Sequence, residues 1–118
     1  MKIQLHAQSL RVRIDEAEFQ QLLSGDIVEN VTFPGPATSW RFALRIGEHD
    51  FPELECRSLD WSLQLPSELV HALASRLPSR DGLELSLPGG NGQELIVRFD
   101  VDVRDSTRVR GRRTQARE

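Results

Sequence analysis

Between Ser39 and Ile46 the chain reads SWRFALRI, with Trp40, Phe42, Leu44 and Ile46 at every second position and Arg41 and Arg45 between them. A two-residue period is the mark of a pleated strand with one buried face. The same period returns along the whole chain. Ile3, Leu5 and Ala7 alternate with Lys2, Gln4 and His6; after Gln8 and Ser9, Leu10, Val12 and Ile14 alternate with Arg11 and Arg13. The runs LELSL and ELIVRFDVDV flank PGGNGQ, a glycine-rich turn, and are expected to pair antiparallel. Less regular is DIVENVTF, residues 26 to 33, which sets Ile27, Val31 and Phe33 on one face with Val28 out of step. PGPAT then breaks the chain and GEHD reads as a turn. ELECRS and WSLQL are weaker strands, the second with Trp61, Leu63 and Leu65 on one side.

Two segments change to helical spacing. Asp15 followed by Glu18 forms a capping-box pattern, and Ile14 and Phe19 occupy the positions of a hydrophobic staple. Phe19, Leu22 and Leu23 supply the apolar stripe, and Gly25 the left-handed residue that ends it. In PSELVHALASRL, Pro66 suits a first helical position and Glu68 the positive end of the dipole. Val70, Leu73, Ala74 and Leu77 line the inner face, and Pro78 stops the helix.

The expected order is β-β-α-β-β-β-β-α-β-β. With hairpin-length connections and too few helices for parallel crossovers, it predicts an α+β fold: a mainly antiparallel sheet or partly closed barrel of about eight strands with two helices. No internal repeat is legible. At 118 residues the chain suits one core, and residues 1–103 read as a single domain. No apolar run is long enough to cross a membrane, and no export signal is visible, so a cytoplasmic location is expected. Cys56 is the only cysteine, which excludes an internal disulfide and a four-cysteine zinc site.

The net charge of −3 conceals an uneven distribution. Residues 1–103 carry nine basic and sixteen acidic side chains, a net of −7, whereas 104–118 carry six arginines against Asp105 and Glu118, a net of +4. This arginine-rich segment has one large apolar residue, Val109, and is expected to be a flexible tail. Arg108, Arg110, Arg112 and Arg113 are its candidate contacts to nucleic acid, weak and salt-sensitive, since no aromatic stacker accompanies them.

Met1, Lys2 and Ile3, then Ser9, Leu10, Arg11, Arg13 and Ile14, then EFQQLLSGDIVE form a sequence pattern of their own, to which Leu65 and Pro66 add a Leu-Pro helix start. In these patches, across about two-thirds of its length, the chain resembles a group of short bacterial proteins carrying a domain of unknown function. They open with a Met-Lys-Ile strand and a Ser-Leu-Arg-x-Arg motif. The chain departs in Gln8, where asparagine or glycine is common, and in the arginine-rich tail. The resemblance implies a shared α+β fold and a cytoplasmic setting. It transfers no activity and no catalytic residue.

No motif for chemistry stands out from the strand pattern. His6, His49, His71 and Cys56 lie on separate elements without metal-ligand spacing, so neither a metal nor a cofactor is implied. Cys56 is flanked by Glu53 and Glu55, which would raise its pKa, and no glycine-flanked serine elbow is present. Asp100 with Asp102, and Glu53 with Glu55, have the spacing that any exposed strand face produces. PGGNG leads into a strand where a phosphate loop requires a helix. The remaining candidates are Arg11 and Arg13 on one strand and Arg41 and Arg45 on another, contacts for an anion or a partner if those strands adjoin. The alternative is pairing with Glu29, Asp100 or Asp102 across neighbouring strands. The balance favours a non-catalytic interaction or ligand-binding module, self-associating through a strand edge or an apolar patch at Trp40 or Trp61. Tail-driven nucleic-acid binding is one alternative. A small enzyme holding an anionic metabolite on the strand arginines, with His6 or His71 titrating nearby, is another.

Overall fold

A computed structural model of the chain describes residues 1–78 and 82–103. The elements are β1 (Lys2–His6), β2 (Ser9–Asp15), α1 (Glu16–Leu23), β3 (Val28–Gly35), β4 (Thr38–Gly47), β5 (Glu53–Arg57), β6 (Asp60–Pro66), α2 (Ser67–Ala74), β7 (Leu83–Pro88) and β8 (Glu94–Asp102). The class is α+β. The tail arginines Arg108, Arg110, Arg112 and Arg113 lie outside the described residues.

The strands form two four-stranded sheets, which corrects the expectation of one mainly antiparallel sheet or a partly closed barrel. Sheet A has the order β1-β2-β8-β7 and sheet B the order β3-β4-β6-β5. Each is two antiparallel hairpins joined by one central parallel pair, β2 with β8 and β4 with β6. A crossover helix is required only between parallel strands that are consecutive along the chain. Here the parallel partners come from different halves of the sequence, so two helices suffice.

The halves are equivalent. Each is a hairpin, a helix and a second hairpin, and exchanging them turns β1-β2-β8-β7 into β5-β6-β4-β3, which is sheet B read from its other edge. A shift of 51 residues carries Ser9 onto Asp60, and with it Val12, Ile14, Phe19 and Leu22 onto Leu63, Leu65, Val70 and Leu73. All eight of those apolar side chains are buried. Matching hydrogen bonds stitch the halves together: Arg41 N–H donates to Leu59 O at 2.8 Å, and Ile96 N–H to Gln8 O at 2.9 Å. The repeat is hidden in the sequence because burial is kept while identity is not.

Neither half buries its hairpins alone, since each hairpin extends a sheet begun by the other half. One core cluster therefore draws on both sheets and both helices, with Leu10, Phe19, Phe42, Leu44, Leu63, Leu73 and Phe99 fully or almost fully buried. Phe19 of α1 meets Phe99 of β8 at 6.2 Å between ring centres.

Local chemistry sets the helix ends as expected for α1. Asp15 Oδ1 accepts from Glu18 N at 2.8 Å and Glu18 Oε1 accepts from Asp15 N at 3.0 Å, a complete capping box. Gly25 takes φ +93°, and Asp26 N–H closes the turn onto Gln21 O. Pro66 differs from expectation: it is the N-cap in extended conformation, and Ser67 opens α2.

The strand reading of residues 26–33 is corrected too. Val28, opposite buried Leu44, is the inward residue, while Val31 and Phe33 are exposed, Phe33 at 75 %. One residue of register inverts a strand's faces, and pairing with β4 decides which face is buried. Pro34 lies on this edge strand, where a missing N–H costs little.

Candidate functional site

Among the described residues no polar or charged side chain is buried. The polar side chains are at the surface, and the strand alternation places the arginines on the outer faces of the sheets.

Arg11 and Arg13 project from sheet A, Arg41 and Arg45 from sheet B. The strands carrying them do not adjoin, so the four arginines form no common patch. Arg41 is engaged by carboxylates: its Nε donates to Glu29 Oε2 at 2.7 Å and its Nη1 to Asp60 Oδ1 at 2.9 Å. Hydrogen bonding to Glu29, then to Asp60, holds its pKa above the usual value. Glu29 was an expected partner. Asp60 was not legible, because it lies on β6, which pairs in parallel with β4 past the intervening β5. Arg45 is exposed and makes no ion pair among the described residues.

Sheet A is organised differently. The turn at Ala7 and Gln8 fixes the β1–β2 register, so Lys2 faces Arg13, Gln4 faces Arg11 and His6 faces Ser9. On the other side, Arg11 adjoins Arg98, and Arg13 adjoins Asp100. The Asp100 carboxylate turns to Arg11, accepting from Nε at 2.8 Å, and Glu84 lies 3.3 Å from Arg98. Lys2 and Arg13 make no ion pair among the described residues. Lys2, Ile3, Gln4, Arg11 and Arg13 line a hollow of about 370 Å³. A second hollow of about 410 Å³ continues from Gln4 and Arg11 to His6, Ser9, Glu84, Ile96 and Arg98.

The equivalent place on sheet B shows what the fold itself requires. Shifting by 51 residues, Lys2 becomes Glu53, Arg11 becomes Ser62 and Arg13 becomes Gln64, and Glu53 faces Gln64 in the matching register. Cations at these positions are thus not a condition of the architecture. Lys2 opposite Arg13 is unfavourable, since like charges directly opposite across strands repel.

Lys2, Gln4 and Arg98 were not singled out from sequence. The signal for Lys2 was present: counting back from Arg13 across a two-residue turn arrives at it. Arg98 required knowledge that β8 lies against β2.

The other candidates separate. Cys56 and Trp61 face each other across β5 and β6, on the side away from Glu53 and Glu55. The Cys56 thiol is pushed up, as expected, but by partial loss of hydration and not by those carboxylates, although the residue is an exposed one. Trp40 and Trp61 are half-buried, 5.7 Å apart edge to face, and packed against the core. His49 stacks on Phe51 in the link between the halves, and His71 lies on α2, away from the sheet A hollows. No group of three metal-ligating side chains occurs among the described residues. No helix of the described residues is long and apolar enough to cross a membrane.

Compared with models of protein families, with curated proteins and with solved structures, the chain matches none.

Proposed function

We propose that the protein is a non-catalytic ligand-binding or interaction module whose working surface is the outer face of sheet A, where Lys2, Arg11 and Arg13 receive an anionic group. The observation that carries this reading is Lys2 facing Arg13 with no ion pair to either among the described residues. An anion between them converts a repulsion into two charge-assisted hydrogen bonds, which are about twice as strong as neutral ones. Gln4 adds an amide donor, and Arg11, its side chain 45 % exposed, keeps donors beyond the one given to Asp100. The hollow is open, as suits a group presented by a larger partner.

The test is a titration of the isotopically labelled protein with inorganic phosphate, followed by NMR and compared with chloride at equal ionic strength. Phosphate-specific shifts are expected at Lys2, Gln4, Arg11 and Arg13, and weakened by Lys2→Gln and Arg13→Gln. Shifts that are absent, spread over the surface, or reproduced by chloride overturn the reading.

A further inference from the structure

The two hollows run beside β1, whose outer edge is unpaired because β1 ends sheet A. An unpaired edge is a template for another strand. Its outer side chains Lys2, Gln4 and His6 carry no negative charge, and on its other face Leu5 is 57 % exposed. The strand that complements it is acidic on one side and apolar on the other.

The chain contains such a strand. β5 ends sheet B, has the same length as β1 and the same pattern of burial, and presents Glu53, Glu55 and Arg57 on its outer face, Arg57 donating to Glu55 Oε2 at 2.8 Å, with Leu54 and Cys56 on the inner one. Glu48 and Asp50 precede it, and with Glu53 they make no ion pair among the described residues. Pairing the two edges with Ile3 beside Leu54 brings Lys2 beside a carboxylate in either direction: Glu53, which makes no ion pair among the described residues, if the strands run parallel, and Glu55, shared with Arg57, if antiparallel. Both edges belong to one chain but to opposite sheets.

We infer that the anionic partner of the sheet A face is a second copy of this chain, whose β5 adds to the edge of β1. This rests on the proposed anion-binding reading and names its partner. Main-chain hydrogen bonds supply the attraction, and the charges on alternate residues select the edge. Because β1 meets β5 and not itself, the contact is head to tail and repeats along a row of copies.

Sedimentation velocity of the full chain over a concentration series tests it. Association is expected to grow with concentration at about 0.1 M salt and to fall away at about 1 M, where the screening length shrinks from about 10 Å to about 3 Å. Lys2→Glu alone and Glu53→Lys with Glu55→Lys alone are each expected to be monomeric, with unchanged circular dichroism. Mixed together they are expected to associate, since each supplies the edge that the other reverses. A wild-type chain that stays monomeric, or variants that fail to associate when mixed, overturns the inference. Neither result touches the anion reading, because the variant altered at Glu53 and Glu55 keeps Lys2 and Arg13 and still reports phosphate by NMR.

Discussion

Lys2 stands directly across the β1–β2 hairpin from Arg13, cation facing cation, at the place where the other half of the molecule sets Glu53 against Gln64. The structure tolerates this opposition and does not depend on it. Lys2→Glu is accordingly expected to raise stability by about 0.2–1 kcal/mol at low salt, by replacing repulsion with attraction across the strands. The same change is expected to abolish phosphate-specific NMR shifts. Urea denaturation of the two proteins measures the first effect, and an unchanged stability would show that the pair is relaxed by solvent.

Asp15 closes β2 and caps α1 with both bonds of its box in place. Asp15→Ala is expected to cost about 0.5–2 kcal/mol in a guanidinium titration. Glu18 also receives the terminal ammonium of Met1 at 3.0 Å, tying the first residue to the helix. Acetylating that amine is therefore expected to lower the denaturation midpoint slightly.

Phe99 is fully buried against Phe19, whereas Phe33 on edge strand β3 is largely exposed. Phe99→Ala is expected to destabilise by about 3–5 kcal/mol, and Phe33→Ala to change stability by no more than about 0.5 kcal/mol. Equal costs would mean that residues 28–35 turn their other face inward.

Cys56 titrates above its usual range when folded. Its folded pKa is raised, so the stability it contributes is full below the unfolded value of about 8.5 and is lost as pH rises through the folded value. Stability above about pH 8.5 is expected to fall less steeply in Cys56→Ala, and alkylation of native protein is expected to lag behind that of unfolded protein. Denaturation midpoints across pH and a timed iodoacetamide reaction check both.

Only residues 48–52 join the half ending with β4 to the half beginning with β5. Each half completes its sheets with the other's hairpins, so the complement can come from the same chain or from another. Deleting Glu48, His49 and Asp50 is expected to yield a dimer with exchanged halves, insensitive to salt and with native circular dichroism. Light scattering after chromatography distinguishes it from a monomer.

Much of the secondary structure was legible in particular residues. Leu10, Val12 and Ile14 are buried and Arg11 points outward, because pleating alone turns alternate side chains to opposite faces. Asp15, Glu18 and Gly25 bound α1 through contacts no more than a turn apart. Pairing of Arg11 with Asp100 and of Arg41 with Glu29 was among the expected outcomes, since carboxylates on neighbouring strands are within reach. Residues 26–33 resisted the same reading: apolar side chains stand on both faces there, and local period cannot choose between them.

What the sequence determined by itself is the set of pieces: strand or helix, the caps, and which side of most strands meets water. These follow from forces acting within a few residues. What only the tertiary structure decided is the partnership of the pieces. The parallel pairings of β2 with β8 and β4 with β6 divide the strands into two sheets, place Asp60 beside Arg41, and part Arg11 and Arg13 from Arg41 and Arg45. Those pairings join strands that are not consecutive along the chain, selected by how all the apolar faces are covered at once, and no local period records that choice.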